Sequence, residues 1–254
     1  MTIYSKRIRA VQYAQHQQDE LIRCAADPYY FITTYAKLQS HALKPRAFQE
    51  QAVATFHGNQ FVVAKAPRQA GMTTFLVGYA LWRALFSSYK TIFFGTIKHD
   101  QAKVAAEQLR NAYDQLPDWL KPGCKRFDRL SIEFDNGSCV KFGATTESCC
   151  RGMSLSLAIF DGLAYCHLAV QEYVRDVILP CIGQSGQLIV SSTPNGRTGP
   201  FAELWGQTEA GLTPFTYVSI GYWDLPIASD HHWQQMLYLL GDAKARQEYN
   251  AEFV

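Results

Sequence analysis

Phe61-Val62-Val63-Ala64-Lys65-Ala66-Pro67-Arg68-Gln69-Ala70-Gly71-Met72-Thr73-Thr74 is a short apolar run that breaks into a turn and then enters a long helical stretch, Thr73 to Phe86. Four apolar residues bounded by turn formers read as a strand buried on both faces. The same grammar repeats outward from it. Thr91-Ile92-Phe93-Phe94 is a second strand, followed by a helix from about Asp100 to Leu116. Ser131 to Phe142 alternates with period two around Asn136-Gly137, which predicts a β-hairpin. Leu157-Ala158-Ile159-Phe160 is a buried strand with a helix from about Ala169 to Leu179 behind it, and Gln187-Leu188-Ile189-Val190 is another. Apolar strands alternating with helices predict an α/β protein whose mainly parallel sheet lies between helices.

The flanks read as helical. Residues 1–25 are polar with Val11, Leu21 and Ile22 as sparse apolar positions, and Asp27-Pro28 signals a cap and first turn. Lys44-Pro45-Arg46 breaks that segment, and Phe48 to Phe56 is a short helix. From Trp223 onward the pattern is helical again, with Met236, Leu237, Leu239 and Leu240 clustered and an amphipathic stretch from Asp242 to Tyr249. The expected organisation is a helical segment over 1–44, a core over 45–222 and a closing helical segment over 223–254.

Bulk properties exclude several classes. The chain has 254 residues, 48% hydrophobic and 18% charged, which suits a packed globular protein. A net charge of +2 points neither toward nor away from nucleic acid. Seven cysteines fit no zinc spacing, and Cys149-Cys150 lacks the two-residue gap of a metal or redox motif, so they read as reduced thiols. The N-terminus mixes Lys6, Arg7, Arg9, Asp19 and Glu20, unlike a signal peptide, and no apolar run approaches the roughly 18 residues of a membrane span.

Chemistry concentrates at the strand ends. A phosphate-binding loop needs free N–H groups at a helix N-terminus, a glycine that lets the backbone approach, and a hydroxyl for Mg²⁺. Gly71 and Thr73 meet the last two requirements in register. The pattern Gly-x4-Gly-Lys-Thr is broken twice, by Ala66 at the first glycine and Met72 at the lysine. Asp161 ends a buried strand, where a carboxylate can hold Mg²⁺, and Gly162 follows where a water-orienting glutamate is common. Ser191-Ser192-Thr193-Pro194-Asn195-Gly196 closes a further strand with small hydroxyl residues and a tight turn. Each signal alone fits an ordinary strand–turn–helix, a capping aspartate or a plain loop.

Taken together, and over roughly residues 45 to 254, the motifs resemble the ATPase domain of a tailed-phage large terminase, the motor that packages DNA into the capsid. The matching residues are Phe48-Gln49, Arg68-Gln69-Ala70-Gly71-Met72-Thr73-Thr74, Leu116 to Gly123, the Asn136-Gly137 hairpin, Arg151-Gly152-Met153-Ser154, Ser192 to Gly196 and Arg246 to Phe253. The resemblance implies a P-loop NTPase core of the RecA/ASCE kind, with ATP and Mg²⁺ as cofactors. It assigns Gln49 to adenine; Gln69, Gly71, Thr73 and Thr74 to the phosphates; Arg68 to the γ-phosphate; Thr73 and Asp161 to Mg²⁺; and Ser192, Thr193 and Asn195 to coupling. It also implies double-stranded DNA, a portal or procapsid and a small terminase subunit as partners, and a ring oligomer on the portal, in the cytoplasm of an infected bacterial cell.

This chain departs from that family at Met72 and Gly162, and the nuclease domain that usually follows is not expected before Val254. Lambda-type terminases carry the lysine at the start of the loop, so Lys65 reads either as a relocated phosphate lysine or as a plain strand-end residue. Two functions stay open: a working packaging ATPase, and a non-hydrolysing pseudo-ATPase that binds nucleotide or protein as a regulatory partner. A helicase-like translocase is disfavoured, because no second RecA-like domain fits in the remaining length. Lys98, Lys103, Arg126, Arg129 and Lys141 are the basic residues that could meet DNA, although scattered charges are more often a solvated face.

Overall fold

The computed structural model describes residues 15–38, 46–178 and 181–254. Its centre is an eight-stranded sheet in the order β3-β4-β5-β2-β6-β7-β1-β8. The strands are β1 (Phe61–Lys65), β2 (Thr91–Thr96), β3 (Cys124–Asp128), β4 (Ser131–Phe134), β5 (Cys139–Ala144), β6 (Leu155–Asp161), β7 (Ile182–Ser192) and β8 (Thr216–Ser219). All neighbours are parallel except β3/β4 and β4/β5. The predicted hairpin is therefore β4–β5, and its second strand joins the parallel sheet beside β2.

Helices cover both faces. One side carries α1 (Gln15–Ala26), α2 (Pro28–Thr34), α3 (Ala47–Gly58), α4 (Met72–Phe86) and α5 (His99–Asp114). Their apolar residues pack with Val62, Ala64, Ile92 and Phe94 from the sheet. The other side carries α6 (Leu168–Tyr173), which runs into a wider π turn over Val174–Ile178, and α7 (Pro200–Glu209). Phe201 and Trp205 of α7 meet Val63, Phe160 and Val190 there. Adjacent strand residues alternate between the two cores, as the β pleat demands. Two helices close the chain, α8 (Asp230–Leu240) and α9 (Asp242–Asn250).

The predicted cap of α2 is present: the Asp27 side chain accepts from the Tyr30 N–H at 2.9 Å. The readings of Val11 and of Lys44-Pro45 lie outside the described residues, as does the predicted helix end at Leu179. The Met236–Leu240 cluster is not a core element, since α8 buries none of its residues and Leu239 is 68% exposed. Among the described residues no helix is long and apolar enough to cross a membrane.

Register aligns the carboxyl ends of the central strands. Thr96 pairs with Asp161, Asp161 with Ser191, and Ser192 with Lys65. In open parallel sheets that edge, where the loops diverge, is where ligands bind.

Candidate functional site

A cleft of about 690 Å³ opens at this edge, bounded by the 66–74 loop, Thr96, Asp161, Gly162, Tyr165, the end of β7 and one side of α5. The loop is built from local backbone geometry. Gln69 and Gly71 both take left-handed conformations, at φ 65° and 79°. Gly71 does so without steric penalty, and as the N-cap residue of α4 it starts the helix through Phe75 N–H donating to its carbonyl at 3.1 Å. The N–H groups of Met72, Thr73 and Thr74 precede the first such bond, so they belong to the helix turn that has no intrahelical acceptor.

Thr73 stands one residue into α4 and donates its hydroxyl to Asp161 Oδ2 at 2.5 Å. Burial beneath the loop raises the Asp161 carboxyl above its ordinary value, and hydrogen bonds from Thr73 and Ser191 act against that rise. A hydroxyl and a carboxylate meeting at one point form a hard oxygen pair of the kind Mg²⁺ takes alongside phosphate oxygens and water. The residues present therefore fit the implied metal.

The end of β7 ties the loop to the strand bearing Asp161. Ala66 N–H donates to Ser192 O at 3.2 Å and Thr193 Oγ1 donates to Ala66 O at 2.9 Å. Ser192 Oγ accepts from Ala164 N–H at 3.2 Å, and Asn195 Nδ2 donates to Ala164 O at 3.2 Å. Ser192 thus touches both the loop and the segment after Asp161, Thr193 touches the loop, and Asn195 touches the segment.

Gln49 is buried on α3, with Nε2 3.7 Å from where a β-carbon on Gly71 would stand. Its Oε1 has no hydrogen-bond partner among the described residues. Thr74 is buried in the first turn of α4, and Met72 lines the cleft while packing partly against the core.

Lys65 sits elsewhere. It shares the strand face of Phe61 and Val63, so its amine lies 4.8 Å from the Trp205 ring centre and 5.7 Å from that of Phe253. Burial lowers its pKa there, with Glu209 and Glu252 opposing, and it is not among the residues lining the cleft. Strand parity sends Lys65 and the loop to different sides.

Gly162 is left-handed at φ 85°, and a β-carbon there would fall 2.6 Å from two carbons of Ile97. The position where a catalytic glutamate is common is thus shaped around glycine. The suggested DNA-facing cations make local pairs in two cases, Lys103 with Asp100 at 2.7 Å and Arg126 with Asp128 at 2.6 Å.

Sequence reasoning missed a cluster that reaches the site from α9. Arg68 Nε forms an ion pair with Glu248 Oε2, and Arg68 N–H donates to Glu248 O at 2.9 Å. Glu248 Oε1 also accepts from Tyr165 at 3.0 Å and contacts Lys244 Nζ at 2.6 Å. Burial opposes ionisation of Glu248, but the bonds from Lys244 and Tyr165 and the charge of Arg68 hold its carboxyl below the ordinary value. The i,i+4 spacing of Lys244 and Glu248 was the visible signal for half of this cluster.

The fold is that of phage large-terminase ATPase domains. The ATPase domain of the Thermus phage P74-26 large terminase superposes with a TM-score of 0.71 at 19% identity, covering 90% of this chain and 98% of that one. The HK97 bacteriophage large terminase gives 0.71 at 12% identity, covering 90% of this chain and 55% of that one. The large terminase of a thermophilic bacteriophage in complex with ADP gives 0.61 at 11% identity over 89% and 53%. This chain therefore spans nearly the whole isolated ATPase domain and about half of the other two terminase chains. No family model matches the sequence.

Proposed function

We propose that this chain is a terminase-type ATPase domain that binds MgATP in the cleft and hydrolyses it slowly. The observation that carries the reading is the junction of Thr73 and Asp161 beneath a left-handed Gly71 loop at a helix start. One terminase of similar fold, described both with ADP and with ATP-γ-S, supports a nucleotide as the ligand.

In this reading the N–H groups at the start of α4 and the Gln69–Thr74 backbone receive the phosphates. Thr73 and Asp161 hold Mg²⁺, which when bound neutralises phosphate charge. Arg68 faces the γ-phosphate with the guanidinium donors that Glu248 leaves free. Gln49 has an unsatisfied amide oxygen beside the loop, suited to an amino group of the base. Ser192, Thr193 and Asn195 transmit loop position to the segment after Asp161. Met72 carries no charge, and Gly162 carries no carboxylate to orient water, so turnover lacks two contributions that are each commonly worth orders of magnitude. Lys65 lies on the other face of β1 and does not replace the missing cation.

Double-stranded DNA, a portal and a small terminase subunit as partners, and the cytoplasm of an infected bacterium as the setting, belong to the same proposal. The Gly162 geometry favours a second reading, a pseudo-ATPase that binds nucleotide and regulates assembly without hydrolysis. Calorimetric titration of MgATP, followed by phosphate release with double-stranded DNA present, separates the readings. ATP binding that loses its Mg²⁺ dependence in Asp161→Ala, with slow, DNA-dependent release by wild type, is expected. Binding without any release selects the second reading, and no binding removes both.

A further inference from the structure

Arg68 is the only lysine or arginine among the described residues lining the cleft. With Met72 in the loop, the attraction of the site for a polyphosphate depends on how much of the Arg68 charge is available. Its neighbourhood decides that. The Glu248 side chain is only 7% exposed, whereas the side chains of Arg68 and Lys244 are 64% and 52% exposed. A buried carboxylate therefore sits beneath two surface cations, with one oxygen turned to each. Oε2 takes Arg68, while Oε1 takes Lys244 and the Tyr165 hydroxyl. Gln247 fixes the carboxylate from the same helix, its Nε2 donating to Oε1 at 3.2 Å, and its own Oε1 accepts from Gly196 N–H at 3.2 Å.

We infer that Glu248 and Lys244 of α9 set the charge Arg68 presents to a polyphosphate, Glu248 as a competitor for the guanidinium and Lys244 as the offset. The inference rests on the nucleotide reading of the cleft given above. A guanidinium has five donors, so engaging Glu248 and the Tyr165 hydroxyl still leaves donors to face an anion, but the carboxylate cancels part of the charge. Lys244 draws on the same carboxylate from the other oxygen. Remove Lys244, and Glu248 turns its whole charge on Arg68. Neutralise Glu248, and the Arg68 charge stands uncompensated at the cleft, which Lys244 does not line. The two changes must therefore move affinity in opposite directions. If α9 merely braced the loop, both would weaken binding.

The test is calorimetric titration of MgATP, and separately of inorganic tripolyphosphate with Mg²⁺, into wild type, Glu248→Gln, Lys244→Met, Arg68→Ala and the Arg68→Ala/Glu248→Gln double variant. Gln keeps the volume of Glu and an oxygen for Tyr165, and thermal melting confirms that each variant is folded. Glu248→Gln should bind about three- to tenfold tighter and Lys244→Met weaker by a similar factor, with both shifts shrinking as salt is raised. Glu248→Gln should give no gain once Arg68 is alanine, because the effect runs through that side chain. Shifts of the same sign, or none, in a protein that binds MgATP would overturn the inference and leave the nucleotide reading standing. A wild type that binds neither ligand would remove both.

Discussion

Ile97 occupies the space that a side chain at Gly162 would need: a β-carbon there would lie 2.6 Å from both Cδ1 and Cγ1 of the isoleucine. Gly162 also takes φ +85°, a backbone state that L side chains rarely adopt. Placing a carboxylate here therefore takes more than a one-residue change. The loop after β6 and the segment after β2 have adjusted to one another around glycine.

Introducing a glutamate at position 162 alone should consequently gain nothing. Gly162→Glu must carry a left-handed backbone, costing roughly 1–2 kcal/mol, and displace Ile97, adding about 1–3 kcal/mol of overpacking. The variant should melt several degrees below wild type with no gain in phosphate release. Gly162→Glu/Ile97→Ala should recover part of the loss. A single variant that kept its melting temperature and turned over ATP faster would show that this loop repacks freely.

The Thr73–Asp161 contact predicts a metal requirement with a defined genetic signature. Chelation with EDTA should weaken ATP binding at least about tenfold in wild type, because the phosphates then face an unneutralised Asp161. Asp161→Asn should bind ATP with little response to EDTA, while Thr73→Ser should keep the wild-type response through its hydroxyl. Titration calorimetry with and without EDTA reads all three. An EDTA response that survived Asp161→Asn would place the metal elsewhere.

Much of this arrangement was legible because buried parallel strands advertise themselves as apolar runs. Elements that do not bury themselves were missed. β3 is largely exposed and carries Lys125 and Arg126, and β8 buries only Val218, so neither has a strong periodic signature. α7 was announced by Gly199-Pro200, a helix-start signal that was overlooked. The side of Lys65 was readable in principle from strand parity with Val63, which packs beside Trp205. The grip of Glu248 on Arg68 was not, because it joins residues far apart in sequence and depends on where α9 docks. The Ile97–Gly162 fit was equally hidden, since it exists only once β2 and β6 lie side by side.

One buried polar hub carries stability away from the cleft. Gln187 Nε2 donates to the carbonyls of Phe56 and of Asn59, the latter at 2.8 Å, and its Oε1 accepts from Tyr79 at 3.1 Å. Replacing it by leucine leaves the Tyr79 hydroxyl short of a strong acceptor and the carbonyl of Asn59 without this donor. Unsatisfied buried groups cost about 1–3 kcal/mol each, so Gln187→Leu should destabilise by roughly 2–4 kcal/mol in urea unfolding. A loss under about 0.5 kcal/mol would mean that water takes over these bonds.

The seven cysteines should not react alike, and Cys149 should lead. Its sulfur lies 3.7 Å from that of Cys150, and the hydrogen bond from Cys150 lowers its pKa to about 7 against the opposing effect of burial. Cys150 is fully buried and its thiol is pushed up by the same neighbour, while burial raises Cys166 to about 11. Because the thiolate is the nucleophile, alkylation of Cys149 should level off at a lower pH than alkylation of Cys166. Cys166 should still be gaining rate well above that point. Limited iodoacetamide labelling at several pH values, with peptide mass spectrometry, gives the two profiles from one sample. If Cys150→Ala, which removes the donor, leaves the Cys149 profile unchanged, the adjacent thiol is not the cause of its reactivity.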